Sequence, residues 1–363
     1  MKYFAATIAV GMFAAIVNAA AASETGAAAP VAPRLLSQTG LYADAVKLKI
    51  DPRNKTFSPQ YPLWSDGATK RRWVRLPEGS LINVSDLANW ELPVGTRFWK
   101  EFSLKGRKVE TRFLWQVKRD QWVFASYAWN EAQTEAVLAS ESGLSNIAEV
   151  ENGRRHSIPS VSECRACHDS KRTEILGFTA LQLSDDRDPG ALHAEPLTSD
   201  MVTLKTLSDA NLLTPARPEL VSNPPRIDGS PVTRTALGYL STNCGNCHNT
   251  ASSIASLGLD LRHTVTQTAN RAPGAAQCAP ALATTVGKRG HWVVPEAQEE
   301  SRIINPGHPE SSALVRRMKS RHAMSQMPPI GTVVADRQAV DLITSWVRDN
   351  PEEWKQLIAR CVA

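Results

Sequence analysis

Two Cys-x-x-Cys-His motifs constrain the fold of this chain more than any other feature of its sequence. One motif runs from Cys164 to His168 and the other from Cys244 to His248. Two thiols at this spacing can bond to the two vinyl groups of one haem, and the adjacent histidine can then bind its iron. The sequence therefore predicts two covalently bound haem c groups. Their thiols are those of Cys164, Cys167, Cys244 and Cys247, and the iron ligands are His168 and His248.

Other uses of paired cysteines fit this spacing less well. A zinc ribbon needs its two Cys-x-x-Cys pairs roughly 15–20 residues apart, whereas 76 residues lie between Cys167 and Cys244. A thioredoxin-like redox motif occurs once, in a βαβ setting, and neither the duplication nor the histidine after each pair matches it. Haem attachment is the interpretation that uses both motifs.

Residues 1–22 have the features of a secretory signal peptide. Lys2 gives a short basic start, residues 4–17 form an apolar run, and residues 18–22 supply small side chains before a cleavage site. The run is shorter than the roughly 20 residues that span a bilayer, so an uncleaved membrane anchor is the weaker alternative. We expect a periplasmic mature protein without a membrane span, beginning with a flexible Ala/Pro-rich leader at residues 23–33.

Length and charge bear on the number of domains and on the partners. A chain of 363 residues exceeds one typical domain core, so several domains are expected. The formal net charge is only +5, and no cluster of Lys and Arg stands out. This distribution argues against nucleic acid as a partner.

Residues 34–150 are predicted to form an antiparallel β-sandwich of the jelly-roll type. Seven of the ten tryptophans lie here, and between Val109 and Val117 apolar and polar residues alternate as in a half-buried strand. The Trp side chains are expected to form the core rather than a carbohydrate-binding platform. The predicted strands are 71–76, 81–84, 97–104, 108–117 and 121–129. A Pro-flanked loop carries Tyr61, Trp64, Ser65 and Asp66, and we expect binding residues on such a loop.

The rest of the chain is predicted to be mainly helical. Residues 151–230 hold the first haem motif, and residues 231–363 resemble a class I cytochrome c domain in having a helix that leads into the second motif and an amphipathic helix near the end. The predicted helices are 201–212, capped by Thr198 or Ser199, then 232–243, 310–319, 336–348 and one after Pro351. The expected fold class is therefore multidomain α+β.

The sixth iron ligand is predictable for only one haem. Met327 lies in a Met-Pro-Pro run before the terminal helices, where a class I cytochrome c places its axial methionine, and Met324 is the second choice. For the first haem the candidates are His156, His193 and Met201. An open iron face is the remaining alternative.

Cys278 and Cys361 lie outside both motifs. In an oxidising compartment such a pair is expected to form a disulfide, and two free buried thiols are the alternative.

Several further segments resemble a family of exported bacterial dihaem c-type cytochromes, whose genes often neighbour a parallel β-helix repeat protein. They are residues 36–42, 61–73, 93–96, 110–112, 127–132, 305–307 and 311–318, together with both haem motifs, Met327-Pro328 and Cys361. The resemblance implies that the two late cysteines are paired. The chain departs from the family pattern at Pro329-Ile330-Gly331, because an acidic residue commonly follows Met-Pro in the family. This difference bears on the reduction potential of the haem and not on the identity of the ligand.

Two classes of function follow from these features. The first is electron transfer between an exported redox enzyme and the respiratory chain, with a redox protein as partner and the β domain as its docking surface. The alternative is a dihaem peroxidase or oxygenase in which the first haem is catalytic. No acid/base pair beside a haem can be identified in the sequence, so we name no catalytic residue and favour the electron carrier.

Overall fold

The long strands of the chain pair into one antiparallel sheet. The structure, a computed structural model, describes residues 31–87, 89–168, 175–263, 265, 278–349 and 351–362. Its strands are β1 (Tyr42–Asp44), β2 (Lys49–Ile50), β3 (Lys55–Thr56), β4 (Thr69–Arg75), β5 (Ile82–Asn83), β6 (Arg97–Leu104), β7 (Arg107–Lys118), β8 (Gln121–Trp129), β9 (Ala136–Leu138), β10 (Leu144–Glu149), β11 (Arg155–Ile158) and β12 (Leu213–Thr214). Six of them form the sheet in the order β3-β4-β6-β7-β8-β9. Three small two-stranded pairings, β1-β2, β10-β11 and β12-β5, accompany it.

The α-helices of the described ranges lie at and after the first Cys-x-x-Cys-His motif. They are α1 (Val161–His168), α2 (Leu204–Asp209), α3 (Glu219–Ser222), α4 (Pro231–Asn243), α5 (Pro280–Thr285), α6 (Ala313–Lys319), α7 (Arg337–Asp349) and α8 (Pro351–Val362). None of the helices in the described ranges is long and apolar enough to cross a membrane. The predicted signal peptide lies outside these ranges. The mixed content of helices and antiparallel sheet confirms the α+β class.

One face of the sheet, which we call the Trp99 face, packs against the segment that contains Leu36 and Leu41. Trp73, Trp99 and Phe113 are adjacent on β4, β6 and β7 and are buried beneath Leu36 and Leu41. The indole Nε1 of Trp99 donates to Thr39 Oγ1 at 2.8 Å. These tryptophans are core residues, as predicted, because their large apolar surface is removed from water.

The opposite face, which we call the Arg112 face, is divided into two parts. Val74 and Phe98 pack against apolar side chains from the segment that leads to α2 and α3, including Phe178 and Leu204. The same face continues with charged residues, and Arg112 stands opposite Lys100 on the neighbouring strand. Helix α1 lies near this charged part, because its His168 ring is 5.1 Å from the Phe124 ring of β8.

The predicted jelly-roll sandwich, in which two large sheets face each other, is not found in the described ranges. In the described ranges, the six-stranded sheet is covered by the chain start on one face and by helical and irregular segments on the other. The period-2 pattern of the sequence indicates that strand faces are buried, but it does not identify the covering layer. From Ala32 onward, the described residues form one compact unit in which sheet and helices share apolar cores.

A separate apolar core is built around α4. Ala236 and Leu240 of α4 pack against Ile343 of α7, and Trp346 Nε1 donates to Thr233 Oγ1 at 2.9 Å. Tyr61 crosses α4 at Gly238, where a Cβ atom would overlap the tyrosine ring. The loop between β3 and β4 therefore also fixes the helix that leads into the second Cys-x-x-Cys-His motif.

Candidate functional site

The second motif follows directly from the end of α4. The backbone N–H of Cys244 donates to Leu240 at 2.9 Å, and the N–H of His248 donates to the Cys244 carbonyl at 2.9 Å. The buried Asn249 side chain donates to the carbonyls of Gly245 and Asn246. This tight turn places Cys244, Cys247 and His248 along the wall of one cavity. Asn249 was not singled out by the sequence, although an amide directly after a motif is a signal for a turn.

The cavity beside this motif is open to solvent and has the lining of a cofactor pocket. Its empty space, together with the open solvent at its mouth, is about 1160 Å³. Most of the lining is apolar, with Leu259, Ile303 and Leu314 among the wall residues. The apolar lining suits a large apolar macrocycle, and the thiols and imidazole of the second motif are on the wall of the cavity.

His248 has the protonation state that iron binding requires. Burial, followed by the charge of Arg317, lowers the pKa of the His248 imidazole, so the ring is neutral at pH 7. Neutral imidazole is the form that binds metals. Its Nδ1 is buried and has no hydrogen-bond partner among the described residues. These properties fit a haem ligand.

Met327 lies on the wall of the same cavity, whereas Met324 does not. The backbone N–H of Met327 donates to the Arg317 carbonyl at 3.0 Å, and Arg321 donates to the Met327 carbonyl at 3.0 Å. Helix α6 and the segment after it therefore hold the loop against the cavity. Met324 is 79 % exposed. The geometry favours Met327, the first choice from the sequence, over Met324.

The loop before β4 supplies another wall of the cavity. Trp64 lines it, donates through its backbone N–H to Asn243 Oδ1 at 2.7 Å, and donates through Nε1 to the Val334 carbonyl at 3.1 Å. Asp66 Oδ1 accepts from the N–H groups of Val333 and Val334 at 2.8 and 3.1 Å. The loop on which the sequence predicts binding residues thus encloses the cavity beside the second motif.

The first motif lies on the short helix α1. Ser160 caps this helix, because its Oγ accepts from the Glu163 N–H at 3.1 Å while Glu163 Oε2 accepts from the Ser160 N–H at 2.8 Å. Cys164, Cys167 and His168 are half-buried. Residues 169–174, which follow the motif, lie outside the described ranges.

The two motifs meet in space. The Sγ atoms of Cys167 and Cys247 are 3.7 Å apart, although the residues are 80 positions apart in the chain. Groups attached to these two thiols would be immediate neighbours. In the described ranges, no cluster of three or more His, Cys, Asp or Glu side chains is arranged to hold a metal ion. The four motif cysteines therefore do not gather into the tetrahedral set of a zinc site.

Two of the candidate sixth ligands for the first haem are engaged elsewhere. His156 is 1 % exposed, and its Nδ1 and Nε2 lie 2.9 Å from Asp66 and 3.4 Å from Glu110. His193 Nε2 is 2.8 Å from Asp336, and its ring packs on Trp64 beside the second motif. Met201 is half-buried on the segment before α2.

The environment of His156 keeps it charged. Burial alone favours the neutral ring, but the hydrogen bonds to Asp66 and Glu110 raise the pKa of His156 to about 9. Burial also opposes ionisation of Glu110, yet Arg112 and His156 lower its pKa to about 2. The three residues Asp66, His156 and Glu110 form a buried ion network between the cavity wall and the sheet, which is a structural role.

Cys278 and Cys361 are joined by a disulfide, with their Cα atoms 4.7 Å apart. The bond ties the start of α5 to α8, as the sequence predicts. Comparisons of the whole chain with protein-family models, curated proteins and solved structures find no match.

Proposed function

We propose that this protein is a periplasmic dihaem c-type cytochrome that transfers electrons between an exported redox enzyme and the respiratory chain. Haem iron, when bound, supplies one-electron redox chemistry. The residues of the chain would hold and orient it: Cys164 and Cys167 would fix one haem, Cys244 and Cys247 the other, and His168 and His248 would bind the irons.

The observation that carries the proposal is the contact between the motifs. Cys167 and Cys247 place their Sγ atoms 3.7 Å apart, so the haems on them would be neighbours that exchange electrons within one molecule. The arrangement around the second motif supports a class I cytochrome c fold. Helix α4 leads into the motif, α7 packs across α4, and Met327 lies on the cavity wall. A methionine opposite histidine raises the reduction potential.

A dihaem peroxidase or oxygenase is a second candidate, and one observation favours it. His156 is held by Asp66 and Glu110, and His193 is bonded to Asp336 beside the other motif. Neither is then available for the first iron, which would leave that haem with Met201 or with an open face. An open distal face permits oxygen or peroxide chemistry.

Carbon monoxide distinguishes the two functions. The reduced holoprotein is mixed with CO in a stopped-flow spectrometer, and the Met327→Ala variant serves as a positive control because its second haem has lost the proposed ligand. An electron carrier is expected to bind no CO within seconds in its wild-type form. Rapid binding at one wild-type haem contradicts the carrier and supports the enzyme.

A further inference from the structure

Two arginines near the end of α6 donate side-chain hydrogen bonds to the loop that carries Met327. Arg317 Nε donates to the Ser325 carbonyl at 3.2 Å. Arg321 Nη2 donates to the Met327 carbonyl at 3.0 Å and to the Met318 carbonyl at 2.8 Å. We call Arg317 and Arg321 the arginine pair. The loop is thus fastened by guanidinium donors at the proposed iron ligand itself and two residues before it.

The arginine pair lies on the wall of the cavity beside the second motif. Both side chains line this cavity together with His248 and Met327. Arg317 acts electrostatically on the His248 imidazole, and its guanidinium carbon is 5.6 Å from the centre of the Trp292 ring, which also lines the cavity. The Nε and Nη1 atoms of Arg321 are buried and have no hydrogen-bond partner among the described residues. Both positive charges are therefore close to the two proposed iron ligands.

Carboxylates neutralise the arginine pair only in part. In the described ranges neither arginine forms an ion pair, whereas the adjacent Arg316 does. Burial lowers the pKa of both guanidinium groups, and the charge of Asp66 opposes this shift at Arg321 alone. Asp66 is itself shared with His156, whose Nδ1 is 2.9 Å from its Oδ2. Arg317 is therefore the less neutralised member of the pair.

The cavity wall also carries the carboxylate of Asp336, and this group has other partners. Its Oδ2 is 2.8 Å from His193 Nε2, and its Oδ1 accepts from the Ala339 N–H at 3.2 Å near the start of α7. The Tyr239 hydroxyl on the same wall is neutral at pH 7, because burial and then the charge of Asp336 raise its pKa well above the usual value. On the described wall, two guanidinium groups thus face one carboxylate that is already hydrogen-bonded.

We propose that Arg317 and Arg321 are positioning residues of the second haem, which hold Met327 against the cavity and raise the reduction potential of that haem by their charge. This inference rests on the proposed function, since it requires a haem on Cys244 and Cys247. Oxidation adds one positive charge to the iron, and nearby cations in a medium of low dielectric constant disfavour that charge. A retained thioether ligand raises the potential as well. Both effects of the pair therefore favour the reduced haem.

The reduction potential of the second haem tests the effect of charge. In the Arg317→Gln holoprotein the equilibrium constant for reduction of this haem is expected to fall about tenfold, or about 59 mV for one electron. Arg317→Lys keeps the charge and is expected to restore most of the wild-type potential. Arg316→Gln is the matched control, because the Arg316 side chain is 42 % exposed and pairs with Glu296 at 3.1 Å. The second haem is identified as the one whose potential moves in Met327→Ala.

The rate at which carbon monoxide replaces Met327 tests the hold on the loop. Gln at position 321 cannot bridge the Met318 and Met327 carbonyls as the forked guanidinium does. The reduced Arg321→Gln holoprotein is therefore expected to bind CO at the second haem roughly tenfold faster than the wild-type protein, the effect of one lost charge-assisted hydrogen bond. Met327→Ala should bind faster still, because it has no ligand to displace, and Arg316→Gln should match the wild-type protein.

Three outcomes overturn the inference and leave the proposed function intact, each in a holoprotein that carries two haems by mass. They are an unchanged second-haem potential in Arg317→Gln, a fall in that potential that Arg317→Lys does not reverse, and a wild-type CO rate in Arg321→Gln.

A milder variant keeps the inference testable if the Gln variants fail to fold. Arg321→Lys retains the charge and most of the length of the side chain but replaces the fork by a single donor nitrogen. Its CO rate should exceed that of the wild-type protein, and an equal rate would contradict the hold on the loop. Absence of covalent haem, in contrast, would refute the proposed function and this inference with it.

Discussion

Cys167 and Cys247 bring the two haem motifs together, with their Sγ atoms 3.7 Å apart. Haems attached to these thiols are expected to interact, because charge on one iron acts on a neighbour through a medium of low dielectric. Reduction of one haem should therefore lower the potential of the other. The circular dichroism of the oxidised protein in the Soret region should contain a two-signed couplet.

Single-haem variants test this coupling. The Cys164→Ala/Cys167→Ala and Cys244→Ala/Cys247→Ala double variants each remove one haem. The spectrum and potential of the haem that remains show how it behaves without its neighbour. If the spectra and potentials of the two variants add up to those of the wild-type protein, the haems are independent and the contact between the motifs has no electronic consequence.

Replacement of Met327 should change the second haem alone. Met327→Ala removes the proposed thioether ligand, so the weak Met-to-iron absorption band near the red end of the spectrum should vanish and the potential of that haem should fall. Met324→Ala is the matched control, because Met324 is on the same loop but is 79 % exposed. Loss of the band in Met324→Ala, with its survival in Met327→Ala, would reverse the assignment.

His156 should make the free energy of unfolding depend on pH. Its pKa is raised from 6.5 to about 9 in the folded protein, so between these values the folded state binds more protons than the unfolded state. The stabilisation is fully present below pH 6.5 and is lost as the pH rises through 9, a change of about 3 kcal/mol. Urea titrations at pH 6 and pH 9.5 measure it. His156→Gln should remove most of this dependence, and an unchanged pH profile in that variant would assign the dependence to another group.

The disulfide between Cys278 and Cys361 closes a segment with a sequence separation of 83. Replacement of both residues by Ser should reduce the free energy of unfolding by about 2–5 kcal/mol, because the unfolded chain regains the entropy of the open loop. Thermal unfolding of the oxidised wild-type protein and of the double variant measures the difference. Alkylation of both thiols in a sample that was never reduced would contradict the pairing.

The sequence predicts the elements better than the contacts between them. Predicted strands 97–104 and 121–129 coincide with β6 and β8, and predicted helices 232–243 and 336–348 match α4 and α7 within one residue at each end. These elements are predictable because their apolar residues recur with the period of a strand or a helix. The helix predicted at 201–212 is shorter, because Thr203 rather than Thr198 or Ser199 provides its cap.

The site is predictable only where it is local in sequence. The spacing within each Cys-x-x-Cys-His motif fixes which thiols and imidazole act together, and Met327 follows from its own loop. The contact of Cys167 with Cys247 and the closure of the cavity by Trp64 both depend on chain packing over long separations. No local pattern encodes them, and the same tertiary contacts engage His156 and His193 away from the first motif.

The mass of the mature protein tests the central claim most directly. The full chain, including residues 1–22 that are predicted to be a signal peptide, is expressed in a bacterium that has the machinery for covalent haem attachment. The mass of the intact purified protein is then measured under denaturing conditions. We predict the mass of the processed chain plus two haems. The Cys164→Ala/Cys167→Ala and Cys244→Ala/Cys247→Ala variants should each lose one of them. A wild-type mass equal to that of the bare chain, with all four motif thiols open to alkylation, would contradict the account.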